Sequence, residues 1–164
     1  MNRVKNTIST IAFVLMLLST TTLVAQQQEL KELDHTLDRS QTYIDSHNIY
    51  IHGLNSVLAD KSLSLEHRYD ILCKLYDAYR SFQFDRAVEI LHERESVARQ
   101  LGNSSLVDDV DLDRAQLYSM AGMFLESHKV LVNSIDTLRL NSQQLIRYYD
   151  VQQRFYSNYS DNAF

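Results

Sequence analysis

The chain has 164 residues, with no Pro, no Trp, three Gly and one Cys. So few breakers leave little to punctuate a sheet or a long loop, and an all-α fold is expected. The formal net charge of −5 argues against nucleic acid or an anionic lipid surface as a partner of this segment.

The first residues stand apart from the fold. Arg3 and Lys5 make a short basic start, Ile8 to Leu18 is mostly apolar, and Leu23-Val24-Ala25 ends in a small residue before Gln26. That order is the pattern of a secretory signal peptide, residues 1–25, cut after Ala25. An uncleaved anchor is the rival reading. Ile8 to Ala25 is marginal for spanning, at roughly 18 residues, and its Ser and Thr count against it. Cleavage removes Arg3 and Lys5, so Lys plus Arg falls from 16 to 14 against 21 acids, and the net charge becomes −7. An exported product in the periplasm or cell envelope is expected, touching a membrane only through the signal segment. The 139 residues left of the 164 suffice for one domain with a core. Cys73 is alone, which precludes an intramolecular disulfide and fits a buried helical thiol.

A long amphipathic helix is expected within 28–61. Its apolar positions Leu30, Leu33, Leu37, Ile44, Ile51, Leu54 and Leu58 step by three, four or seven, with Ser40 and His47 at the two weak places. This is a heptad seam. It fits either packing on the rest of the domain or a coiled coil that makes a homodimer. Ser64 reads as an N-cap, with Glu66 in the first turn. On the helix that follows, Leu65, Tyr69, Leu72, Tyr76 and Tyr79 share a face. A turn at Phe82–Phe84 leads to a helix opened by Asp85, with Ala87, Leu91, Ala98 and Leu101 on its buried stripe and Ile90 and Val97 beside them. Gly102-Asn103 ends it. Ser105 and Asp108 suggest a capping pair for a helix over Leu106–Ala121. Gly122 breaks the chain, Phe124–Leu138 forms another helix, and Asn141 with Gln144 caps the last one.

Two segments are written twice. Residues 69–79 read YDILCKLYDAY and residues 149–159 read YDVQQRFYSNY, so Tyr69, Asp70, Tyr76 and Tyr79 recur eighty positions on. SFQFDRAVEIL (81–91) meets AGMFLESHKVL (121–131) at a shift of forty, which pairs Phe84 with Phe124, Ala87 with Ser127, Ile90 with Val130 and Leu91 with Leu131. Forty is half of eighty, so the chain is expected to stack antiparallel helix pairs of about forty residues. A pair cannot bury its apolar stripe alone, and stacked neighbours give a continuous core. The resulting organisation is a signal peptide at 1–25, the long helix at 28–61 and helical repeats over 62–164, in units of about 64–102, 105–140 and an incomplete 142–161.

The order large Phe84, small Ala87, large Leu91 resembles the second helix of a tetratricopeptide repeat. Tyr118, Gly122, Phe124, Ser127 and Leu131 match that repeat at its own spacings. The period departs from it, since the usual unit is about 34 residues. With the signal peptide, the seam helix and the phrase LSLEHRYDILCKLYDAYRSFQFDRA, the chain resembles the N-terminal part of a Gram-negative bacterial family, the domain-of-unknown-function family 6377. Members of that family continue through more repeats, a membrane helix and a cytoplasmic end that regulates transcription. Here the third unit has its first helix and then reads SDNAF. The apolar face of Leu145, Phe155 and Tyr156 would lack half its cover, so the expectation is either a truncated product or a cap supplied by something else, such as the leading helix or a second copy.

No motif carries catalytic chemistry. The acidic run Asp109 to Asp113 has Arg114 and Met120 where a calcium loop needs Gly and Glu. Its better reading is electrostatic, acids in the first turns of a helix complementing its dipole. The six His are scattered, there is no phosphate-cradling glycine loop, and a lone Cys with distant His is too common to name a nucleophile. An enzyme is not expected, nor a metal or other cofactor. The tyrosines remain. In tetratricopeptide arrays the first helix of each pair lines the concave side. The resemblance would place Tyr69, Tyr76, Tyr79 and Arg80 there, then Gln116 and Ser119, then Tyr149, Tyr156 and Tyr159. Aromatic rings with a polar tip suit a groove for an extended peptide or a partner helix. The bland alternative is that they pack between helices. The expected function is an exported module that binds a protein or peptide ligand, the extracytoplasmic part of a bacterial sensor. The alternative is a structural spacer that self-associates along the seam helix.

Overall fold

The computed structural model describes residues 31–162, and every regular element in that span is a helix. The expected signal peptide lies outside the described residues. The chain divides into two compact units, 1–49 and 50–164. Helix α1 covers 31–58, and its residues 31–49 are all that is described of the first unit. There the seam residues Leu33, Leu37 and Ile44 are exposed, and Tyr43 stacks on His47 with ring centroids 6.0 Å apart. In the second unit the same seam supplies Ile51 and Leu54 to the core.

Five helices follow: α2 (Leu65–Tyr79), α3 (Phe84–Gln100), α4 (Ser104–Met120), α5 (Phe124–Asn133) and α6 (Ser142–Asn162). α3 packs on α2 and on α4, and α4 packs on α5 and α6, while α5 meets α6 only lightly. This is a stack of antiparallel helix pairs, built from three capped starts and two glycine stops. The Ser64 hydroxyl accepts from the His67 N–H at 3.3 Å. Asn103 Oδ1 accepts from the Leu106 N–H at 3.3 Å. Asn141 Oδ1 accepts from the Gln144 N–H at 3.0 Å while Gln144 Oε1 accepts from the Asn141 N–H at 3.3 Å, a reciprocal capping box. After α3, Gly102 at φ 64° lets the Asn103 N–H reach the Ala98 carbonyl at 3.1 Å. After α4, Gly122 at φ 75° does the same for Met123 and Tyr118 at 2.9 Å. Both are left-handed exits that a side chain would strain.

Three sequence expectations need correction. The cap of α4 is Asn103 rather than Ser105, because the helix starts two residues earlier than expected. α5 ends at Asn133 rather than Leu138. Asp136 there turns its side chain to the Leu138 N–H at 3.0 Å and offers the backbone an alternative to helix, and Ile135 is buried in the core. The third concerns the interval. From the first pair to the second the step is forty: Phe84 and Phe124 both open second helices, and Leu72 with Leu112 and Leu75 with Ala115 are buried alike. From α4 to α6 it is 38, which matches Asn103 with Asn141 as caps and Leu117 with Phe155 as core. The tyrosines eighty apart are therefore not equivalent.

The core has two clusters. One gathers Leu72, Leu75, Ile90, Leu91 and Val97 with Val110 and Leu117 of α4. The other gathers Val130, Leu131, Val151 and Phe155 with Leu112 and Ala115 of α4. α4 thus serves both. Ser127 sits where α5 crosses α4, its hydroxyl donating to the Ala115 carbonyl at 2.7 Å, so the small residue of the repeat signature marks a close helix crossing. Phe155, expected to lack cover, meets Phe124 and Tyr159 edge-on and stacked.

Leu72 has 0% exposure, so Leu72→Ala is expected to cost about 2–5 kcal/mol in urea denaturation. Gly122→Ala, forced into the left-handed region, is expected to cost about 1–2 kcal/mol by the same measurement.

Candidate functional site

The buried stripe of α3 runs Ala87, Ile90, Leu91, Arg94, Val97, Ala98. A charge on an apolar stripe must be compensated, and Arg94, 4% exposed, shows how. Its Nη1 donates to Asp113 Oδ2 at 2.7 Å. Its Nη2 donates to the Tyr69 hydroxyl at 3.2 Å. The guanidinium carbon lies 5.2 Å from the Tyr69 ring centroid and 5.4 Å from that of Tyr76. The two rings in turn reach α4: the Tyr69 hydroxyl donates to the Leu106 carbonyl at 3.2 Å, and the Tyr76 hydroxyl to the Asp113 carbonyl at 3.1 Å. Nε of Arg94 has no hydrogen-bond partner. Burial pushes both phenols up, against the opposing charge of Arg94, so both remain neutral donors.

The network continues to α6. Arg147 Nη2 donates to Asp113 Oδ1, and Nη1 lies 3.6 Å from Asp109 Oδ1. Gln144 Nε2 donates to Asp109 Oδ1 at 3.1 Å and to the Ser105 carbonyl at 2.8 Å. Above these groups opens a cleft of about 340 Å³, lined by Tyr69, Cys73, Arg94, Asp109, Gln143 and Arg147 among others. Two arginines there balance Asp109 and Asp113. Burial pushes the Cys73 thiol up despite Arg94, which favours the neutral thiol over the thiolate.

A second cleft, of about 590 Å³, lies between α3, α4 and the α5–α6 loop. Arg114 bridges Asp111 and Glu95 at 2.5 Å each, and Arg139 Nη2 is 3.2 Å from Asp108 Oδ1. Burial raises Asp108 and Asp111, only partly offset by Arg139 and Arg114. For Glu95 burial also pushes upward, but hydrogen bonds from Arg99 and Arg114 outweigh it and hold the carboxyl low. The acidic run is not the expected complement to the helix dipole, because α4 starts at Ser104 and has no acid in its first turn. Asp108, Asp111 and Asp113 are buried, because α4 is packed on both sides.

A family model for the SusR N-terminal TPR domain matches residues 37–164. The chain belongs to that family. No curated protein and no solved structure matches it. The family places the chain among tetratricopeptide-type helical repeats, modules that mediate protein interaction. Among the described residues no helix is long and apolar enough to cross a membrane, and no group of His, Cys, Asp and Glu could hold a metal ion.

The expected partner-binding residues divide. Tyr69, Tyr76, Tyr79 and Ser119 are buried, which corrects their expected place as an exposed groove lining and matches the alternative of packing between helices, although Tyr69 still edges the cleft. Tyr69 and Tyr76 are spacers between α2 and α4, and Tyr79 packs by Phe82 and under Arg86. The Ser119 hydroxyl accepts from Asn158 Nδ2 at 3.1 Å. Gln116 is half-buried, and Arg80 pairs with Asp77 at 3.3 Å. Tyr149, Tyr156 and Tyr159 of α6 are exposed. The cleft residues Asp109, Gln143 and Arg147 escaped the sequence reading, although Arg94 on its apolar stripe was a usable signal.

Arg94→Ala is expected to cost about 3–5 kcal/mol. Combined with Asp113→Asn, the loss in chemical denaturation should fall short of the two single losses together by about 1 kcal/mol or more, since the residues share one network.

Proposed function

We propose that the cleft over Arg94 is the groove in which this module holds an extended segment of a partner protein. The observation that carries the reading is the cleft itself. It lies on the first helices of the stacked pairs, with a floor in which Arg94 and Arg147 are balanced by Asp113 and Asp109. A charge-balanced floor favours a partner recognised by backbone and neutral polar groups over a highly charged one. The exposed Gln143 beside the cleft offers a side-chain amide, which can donate and accept at once, as a peptide backbone requires. The acidic balance of the chain is consistent with a protein partner and disfavours nucleic acid.

We place the module outside the cytoplasm, on the leader pattern of residues 1–25, as the ligand-facing part of a sensor. In that role the groove would report a partner by binding alone, without chemistry.

An array of random ten-residue peptides probed with the purified chain tests the groove. A recurrent sequence class is expected among the bound peptides. Arg147→Ala and Gln143→Ala should each weaken binding of that class about tenfold, the size of one lost charge-assisted or amide hydrogen bond. Unchanged binding in both variants, with helicity intact, would place the peptide elsewhere.

A further inference from the structure

Asp108 and Asp109 are adjacent acids on α4 that hold the same stretch of chain from two sides. Asp108 lies in the larger cleft, where its Oδ1 is 3.2 Å from Arg139 Nη2. Asp109 lies in the cleft over Arg94, where its Oδ1 accepts from Gln144 Nε2 at 3.1 Å. Between Arg139 and Gln144 the α5–α6 connection passes into the start of α6. Arg139 lines the larger cleft, and Asn141, Gln143 and Gln144 line the smaller. Residues 139–144 are therefore a wall shared by two clefts, and α4 pins it at both ends. The two pins differ. Gln144 uses a neutral amide, which also reaches the Ser105 carbonyl at 2.8 Å. Arg139 binds by charge. Its side chain is 53% exposed and that of Asp108 only 3%, so the arginine can leave for water while the carboxylate stays where α4 holds it.

We propose that Arg139 and Asp108 form a proton-controlled latch: a proton on Asp108 releases Arg139, and the shared wall 139–144 loosens beside the cleft over Arg94. The other charges nearby leave this role to the pair. Across the larger cleft Arg114 joins Asp111 of α4 to Glu95 of α3, and Arg99 closes on Glu95. Asp109 faces Gln144 and Arg147 of α6. Asp136 of the connection lies 3.7 Å from Arg139 Nε, so it can keep the arginine once Asp108 lets go. Among the described residues Arg139 is the one cation bonded to Asp108. Burial raises the Asp108 carboxyl above the ordinary range and Arg139 pulls it down, while Asp109 and Asp136 add to the rise. Proton affinity is thus higher with the arginine gone, and by reciprocity the proton favours the released form. The closed latch is present at neutral pH and is lost as pH falls through the Asp108 titration, at a higher pH than an exposed aspartate titrates. Asp111 is raised by burial as well, but its arginine belongs to its own helix and not to the wall.

Hydrogen exchange of the full chain without any peptide tests this, followed by NMR and corrected for the intrinsic pH dependence of exchange. The reporters are the N–H groups of Arg139, Asn141, Gln143 and Gln144, which bond within the wall. From about pH 7 to about pH 4 their protection should fall about threefold to tenfold, the range between an exposed ion pair and a charge-assisted hydrogen bond. The amides of α2 and α3 should hold theirs. Asp108→Asn keeps the shape and removes the charge; its wall should be loosened already at neutral pH and should lose nothing more on acidification. Arg139→Gln, at an exposed position, should do the same and carries the test if Asp108→Asn does not fold. Asp111→Asn should keep the pH dependence of the unaltered chain. Constant protection of the wall across the range overturns the latch, and so does a fall in the Asp108→Asn or Arg139→Gln chain that runs in step with the unaltered one. The use of the latch in ligand capture rests on the groove proposed above, but the measurement involves no peptide, so the two readings can fail separately.

Discussion

The stack depends on one buried cation. Arg94 stands where the apolar stripe of α3 would otherwise hold a Leu or Ile. It fills the space between α2 and α4 together with the rings of Tyr69 and Tyr76. Those helices do not approach closely enough for backbone contact, so the guanidinium and two phenols are the spacer. An isolated charge there would be prohibitively costly. Asp113 compensates it from α4, and the planar fork lets one arginine hold both a carboxylate and a phenol in fixed directions. A buried pair of this kind is weak evidence for net stability. Its clearer effect is on register, because hydrogen bonds to Leu106 and Asp113 carbonyls fix where α2 sits along α4.

From that constraint the cleft follows. Asp113 has two oxygens, and Arg94 occupies one. The other turns toward α6, where Arg147 takes it and reaches on to Asp109. Gln144, part of the cap that starts α6, joins the same carboxylate. The wall of the cleft is thereby tied to the helix start, and its floor is set by a side chain that solvent scarcely touches. Side chains locked in this way lose little freedom when a ligand arrives, which favours binding.

The architecture was legible because its signals are local. The absence of Pro, the caps at Ser64 and Asn141, the glycines at 102 and 122 and the recurrence of Phe84 at Phe124 each depend on a few neighbouring residues. Two things were not legible. The similarity of Tyr69–Tyr79 to Tyr149–Tyr159 is similarity of letters, since turns of different length between the helices shift the true interval to forty and then 38. And the burial of the acids of α4 left no sign in the sequence, because packing of both faces of one helix erases the one-sided periodicity by which a sequence announces its core. A charge inside an apolar stripe, Arg94, was the trace of the buried acids, one of which pairs with it.

α4 contributes Val110 and Leu117 to one apolar cluster and Leu112 and Ala115 to the other. No surface of it can be stripped without opening a core. The two helix pairs consequently lack separate melting units, and damage to either one is felt in a single transition of the whole array. A repeat protein is usually divisible into its units; here the middle helix is common property, and helices α2 to α6 are expected to melt as one block.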